Sequence, residues 1–423
     1  MNSWRESLDK YFQKKLLSVL FLGFASGLPF GMLIDPLSYW LSESNIQRGA
    51  IGLISLVTLT YSFKAVWAPF IDRLKLPVLS DYLGQRKSWL VLSQFLVAIS
   101  LLGLGLSDPA QSLRWLIIFA IAVGFTSATQ DICIDAMRIE LLEDSDQGHG
   151  AAMYMGGWRL AFLISQVVTF FISSALNWSS AYLAASMLML LIVIPTIYLI
   201  PEPRYFSRDQ KDLFTNPKAW LQEAYIEPFS DLASRYKNHL ILTILLVVTY
   251  KFSDLILGPM AMPFYQETGF TKEEIAIVTN AFGITITLIG SFLGGIILFR
   301  YGIPTVLLLG AILVAFTNLA FAFLSLAGAN VTVLTAVIAC DNLAQGLAAT
   351  ALVAYLSSLT HEKFTATQYA LLFLIATVPA KFIAATSGFV VNEVGYFNFF
   401  LYAAGMGLPA IFISLYFYRQ TKQ

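Results

Sequence analysis

Residues 124–166 carry Asp131, Asp135, Arg138 and Arg159 within or beside apolar segments. A charge at the centre of a bilayer costs about 3 kcal/mol on insertion scales, so several together point to use rather than packing. A carboxylate there can exchange a proton, and a basic group can hold an anion. Lys64, Lys251, Asp254, Asp341 and Lys381 stand in comparable settings elsewhere. The types allow proton exchange at Asp131, Asp135, Asp341 and Asp254, with Asp131 leading. They allow anion binding at Arg159, Lys381, Lys251 and Lys64. Gln130, Gln166, Asn280, Asn342 and Gln345 could offer hydrogen bonds in a cavity wall, and Trp158 could stack on a sugar ring. A structural reading competes at each place. Lys251 and Asp254 are spaced to pair on one helix face. Lys64 could snorkel from the inner end of its span. Asp135 and Arg138 approach the inner interface, where they could form a gate.

Something must hold these groups inside a membrane. The chain is 57% hydrophobic and only 12% charged, about half the charge of a soluble domain. Its formal net charge of +0 gives no hint of nucleic acid. A span needs about 20 apolar residues. Twelve are predicted: 16–40, 50–71, 89–106, 114–137, 151–175, 179–200, 239–263, 273–299, 303–326, 331–357, 365–390 and 394–418. The runs are long and lack a period of two, so they read as helices rather than a barrel. The fold class is therefore all-α and integral to the membrane. The first span is expected to serve as its own insertion signal, since no cleavage site follows it.

Most Lys and Arg outside the spans lie on the side of the N-terminus, which places both termini in the cytoplasm. The longest loop, 201–238, divides the chain into 1–200 and 239–423, six spans each. Asn216-Pro217 reads as a helix start, and Trp220, Tyr225 and Phe229 suggest a helix lying on the inner membrane surface. Gly124 and Gly346 are 222 positions apart, as are Arg159 and Lys381, which hints at a parallel repeat. At about 1.5 Å per residue, Asp131 and Arg159 come out at similar depth on neighbouring helices. Asp341 and Lys381 do likewise. Gly23, Gly27 and Gly31, and later Gly290, Gly294 and Gly295, read as close helix contacts that would let the halves rock. Pro29 is expected to break its helix and free backbone groups toward a cavity. Cys133 and Cys340 read as small core residues, supporting neither a disulfide nor a zinc site.

Two sets of six spans around a charged loop resemble the major facilitator superfamily. The loop DRLKLPVLSDYLGQRKSW resembles that superfamily's signature through Asp72, Arg73, Gly84, Arg86 and Lys87, with an insertion between Arg73 and Gly84. Asp72, Arg73, Gly84 and Arg86, with Arg138, are the candidate gating and loop residues. Several segments also resemble the AmpG-type muropeptide permeases: FASGLPFGML, YSFKAVWAPFIDR, ATQDICIDAMRIELL, GWRLAFLIS, TYKFSDLILGPM, GFTKEEIAIVTNAFG and FTATQYALLFLI. The resemblance implies a monomeric, proton-coupled importer of anhydromuropeptides in a bacterial inner membrane. Asp131 and Asp135 match the two acids of the family's ATQD segment, and Arg159 its span-five basic residue. Relatives that carry carboxylate siderophores or acetyl-CoA-type solutes supply the alternative substrates. The partners expected are an anionic small molecule, protons and lipid. No cofactor and no metal are implied. An enzyme is disfavoured, because neither an H-E-x-x-H nor a G-x-S-x-G motif is present. His149, His239 and His361 lie far apart, at predicted inner ends. Charges of mixed sign also disfavour a channel.

Overall fold

The computed structural model describes residues 11–44, 46, 56–143, 146–203 and 216–421. Eleven helices among them are long and apolar enough to cross a membrane. Span one is Lys14–Leu41 and spans three to six are Gln85–Leu106, Leu113–Leu141, Gln147–Ala175 and Trp178–Tyr198. Spans seven to twelve are Leu240–Thr268, Ile277–Tyr301, Ile303–Ala327, Val331–Leu359, Glu362–Ala385 and Ser387–Gln420.

The twelfth, span two, is broken. Its described part runs through a 3₁₀ turn at Leu56–Thr58, a helix at Leu59–Phe63, a second 3₁₀ turn at Lys64–Val66 and a helix at Ala68–Arg73. The last piece has proline at its start, where a missing N–H costs nothing.

Span one corrects an expectation. Pro29 lies inside a continuous helix, Lys14–Leu33, and the break comes at Ile34. A proline at 29 leaves the Ala25 carbonyl without its usual donor. The Gln130 amide of span four supplies one at 2.7 Å, so the helix stays whole.

Glycines fuse helices within each half. A Cβ at Gly23 would lie 2.2 Å from the Tyr154 carbonyl oxygen, and one at Gly27 2.3 Å from that of Trp158. Spans one and five therefore meet backbone to backbone. Gly290 and Gly294 press on Leu343 and Leu347 of span ten. Gly295 alone of the six faces the other half, against Ala152.

Gly124 lies against Val57 and Thr60 of span two, and Gly346 against Thr287 and Ser291 of span eight. Span four meets span two as span ten meets span eight, in line with the 222-residue offset. Cys133 is buried but Cys340 is exposed, which corrects its reading as a core residue.

The linker helix starts at Asn216, whose side chain accepts from the Ala219 N–H at 3.2 Å. Its aromatic residues do not form one lipid-facing row. Trp220 is 2% exposed and packs on Phe70, with ring centroids 5.0 Å apart. Tyr225 and Phe229 are exposed. The helix bridges the halves at the linker end. Arg73 of span two reaches Glu223, and Gln368 of span eleven donates to the Pro228 carbonyl at 2.8 Å and to Asp231 at 2.9 Å.

Direct contacts between the halves also gather at the linker end. The Tyr11 hydroxyl donates to the Phe292 carbonyl at 3.0 Å. His149 is buried between the rings of Tyr11 and Phe299, at 4.9 Å and 4.6 Å. Toward the far end the described contacts stay within one half. Gln166 donates to Asp35 at 2.6 Å, and Tyr39 packs on Phe170.

Candidate functional site

The first charge centre is built on the break in span two. Lys64 sits at the second 3₁₀ turn and is 3% exposed. It does not snorkel to an interface, because an acid 71 residues further along the chain reaches it inside the fold. Its ammonium donates to Asp135 at 2.6 Å and stands 4.0 Å from Asp131. Asp131 also accepts from the Ser26 hydroxyl at 2.6 Å, and Ser26 lies 3.4 Å from the Tyr154 hydroxyl. Phe373 of span eleven places its ring 4.9 Å from the Lys64 ammonium.

Arg138 completes this centre. It is fully buried, 3.9 Å from Asp135, and donates to the Ser357 hydroxyl of span ten at 2.8 Å. Tyr154 and Tyr369, one from each half, bring their rings to 5.3 Å and 5.1 Å from the guanidinium. Two acids and two cations thus share the centre, which balances its charge. Asp135 and Ser357 are 222 positions apart, so Arg138 touches corresponding positions of the two halves.

The second centre lies in the last six spans. Lys251 and Asp254 pair at 2.6 Å beside the break between helices Leu240–Thr249 and Phe252–Thr268. Asp341 accepts from Thr317 at 2.9 Å and from Gln345 at 2.7 Å. Asn342 accepts from Thr287 at 2.6 Å and donates to the Ile338 carbonyl at 3.0 Å.

Arg159 and Lys381 stand apart from both centres. Arg159 is half-buried, and its Nε has no hydrogen-bond partner. Its guanidinium lies 5.3 Å from the Trp158 ring. Lys381 donates across the halves to the buried Ser62 hydroxyl at 2.7 Å. Similar depth therefore did not mean shared partners. Asp131 meets Ser26 and Lys64 rather than Arg159, and Asp341 meets Thr317 and Gln345 rather than Lys381.

Other expected wall residues are placed differently. Gln130 is fully buried in the contact of spans four and one, so it does not line a cavity. Gln166 is held by Asp35. The side chain of Asn280 lies outside the described residues. Trp158 stacks on Phe162 at 5.3 Å with an interplanar angle of 11°, and Phe30 lies 5.4 Å from Trp158.

The loop after span two forms a tight charged cluster. Arg86 donates to Asp72 at 2.7 Å and to Glu140 at 2.8 Å. The second Asp72 oxygen accepts from the Thr367 N–H at 2.7 Å and its hydroxyl at 2.6 Å, linking the halves at the start of span eleven. Gly84 takes φ +84 and leaves no room for a Cβ beside Glu202. Glu202 caps the following helix, accepting from the Arg86 and Lys87 N–H groups at 2.9 Å each. Burial raises the pKa of this carboxyl, while those two N–H groups pull it down. The inserted stretch after Arg73 folds into the short helix Leu79–Leu83.

The model of the Major Facilitator Superfamily matches residues 19–257. The chain belongs to that superfamily. It is similar to "Putative transporter AmpG 4" of Rickettsia felis, 34% identical over 411 residues covering 96% of this chain and 97% of the relative. It is also similar to "Anhydromuropeptide permease" of Escherichia coli K12, 32% identical over 413 residues covering 97% and 81%. These full-length likenesses place it in the AmpG-type branch, as a transporter and not an enzyme. The solved structure of the superfamily transporter FucP superposes with a TM-score of 0.71 at 14% identity, covering 95% of this chain and 97% of that one. That likeness speaks for the fold alone.

Sequence reasoning missed Ser26, Ser62, Tyr154 and Tyr369. Hydroxyls inside apolar runs carry no periodic signal. It also missed Glu140 and Thr367, whose partners lie far away in the chain.

Proposed function

We propose that the chain imports anhydromuropeptides, N-acetylglucosamine joined to 1,6-anhydro-N-acetylmuramyl peptides, across a bacterial inner membrane. Protons drive the uptake, and the first six spans rock against the last six. The observation that carries this reading is the pair Arg159 and Lys381. Each half contributes one cation that forms no ion pair among the described residues. One such cation from each half, set within a membrane-spanning segment, suits an anionic solute. Asp131 is the leading proton site, with Asp135 beside it. A bound anion near Arg159 and Lys381 changes the field at these acids, which is the coupling a symporter needs. Contacts at the linker end, such as Arg138 with Ser357 and Asp72 with Thr367, support a state closed toward the cytoplasm.

Uptake of labelled anhydromuropeptide into proteoliposomes under an imposed pH gradient tests the proposal. Accumulation that collapses with a protonophore is expected. Uptake indifferent to the gradient would remove the proton. Uptake of a ferric carboxylate siderophore in its place would move the chain to the alternative substrate.

A further inference from the structure

Building on the muropeptide reading, we infer that the two halves divide the substrate: the first six spans hold its sugars on a ring surface, and the last six read the charges of its peptide. The ring surface is Phe30, Trp158 and Phe162. Phe30 of span one packs edge-on against Tyr61 of span two, with ring centroids 4.9 Å apart and planes at 88°. On its other side it meets Trp158 and Phe162 of span five at 5.4 Å and 6.2 Å. All three rings are half-buried.

Span two meets span eleven through Ser62 and Lys381. Span five meets span eight where the Phe292 ring crowds Gly156. We take the ring cluster, which joins spans one, two and five, to face the space between the halves. Spans one and five are locked together by Gly23 and Gly27, so the ring surface is rigid. Preformed rings cost little entropy when a ligand settles on them. A pyranose offers them a flat array of C–H groups, while its hydroxyls remain free for polar partners.

The facing half has a different character. Lys251 and Asp254 keep 25% and 17% of their side-chain surface exposed, unlike the sealed pair Lys64 and Asp135, at 3% and 4%. An exposed pair of opposite charges can exchange partners with a ligand that carries both an amine and a carboxylate. Arg159 stands at the border. It lies against the Trp158 ring, and in this division it takes the join of sugar and peptide.

Two ligands separate the subsites: the anhydro-disaccharide with and without its peptide. Binding to purified protein is read by tryptophan fluorescence or calorimetry, independent of transport. Phe162→Ala and Phe30→Ala should weaken both ligands, each by about ten-fold, the scale of one ring contact with its buried area. Phe162→Tyr should restore binding. The double replacement Lys251→Gln with Asp254→Asn should weaken only the peptide-bearing ligand. Thermal unfolding of each variant guards against loss of fold, and Phe162→Tyr provides a folded comparison. Ring variants that fold yet bind both ligands as before would overturn the inference, as would equal loss of both ligands in the charge variant. Wild type binding neither ligand would instead overturn the muropeptide reading, and this inference with it.

Discussion

Lys64 and Asp135 form a sealed ion pair at 2.6 Å, joining the broken second span to the fourth. The pair lies 71 residues apart in sequence and is almost free of solvent contact. Removing one partner of such a pair leaves an uncompensated charge, at a cost of about 3–5 kcal/mol. Lys64→Met is therefore expected to lower the unfolding temperature sharply in detergent. Lys64→Met combined with Asp135→Asn should recover much of the loss. A double variant no better than the single one would show that the pair does not act as a unit.

The acid beside this pair gives a functional prediction. Asp131→Asn should abolish pH-driven accumulation in proteoliposomes while leaving exchange of substrate down its gradient. Accumulation that persists would put the proton elsewhere. Arg159→Ala should raise KM by roughly ten-fold or more, the scale of a lost charged hydrogen bond, with little change in expression. Equal loss of expression would mark Arg159 as structural.

The contact of Gln130 with the Ala25 carbonyl predicts a compensation. Gln130→Leu leaves a buried carbonyl unpaired and should cost about 1–3 kcal/mol. Pro29→Ala restores an N–H to span one at the place where that carbonyl needs it. The double variant should then be more stable than Gln130→Leu alone, measured by chemical or thermal unfolding. Additive losses would mean that Gln130 does not stand in for the missing N–H.

Backbone contact predicts which glycines resist change. Gly27→Ala drives a methyl group into the Trp158 carbonyl, whereas a Cβ at Gly258 meets nothing within 4 Å. Gly27→Ala should yield little folded protein on size-exclusion chromatography, and Gly258→Ala should behave as wild type. Normal yield from Gly27→Ala would mean that spans one and five can separate.

The spans were legible because a bilayer demands length and apolarity together, and eleven meet that demand openly. Span two met it in composition but not in geometry: its two 3₁₀ turns leave no trace in a hydropathy profile. The charged residues were legible as a set, since each is costly where it stands. Their partners were not. Depth along neighbouring helices suggested Asp131 with Arg159, but depth says nothing of which way a side chain turns around its axis. Lys251 with Asp254 was readable because both lie on one helix face. Pro29 misled for a physical reason. A proline removes one N–H, and whether the helix then opens depends on a donor from another span.

The position of Arg138 has a consequence for how the two halves could diverge. Its guanidinium meets Asp135 and Ser357, residues that the 222-position offset maps onto one another. Around Arg138 little room is left: its side chain is fully buried between the rings of Tyr154 and Tyr369. The counterpart of Arg138 is Thr360, an uncharged residue that turns its hydroxyl back to the Ser357 carbonyl at 2.7 Å. The keystone between the two halves is laid once, from span four, and the charge at this centre is one-sided.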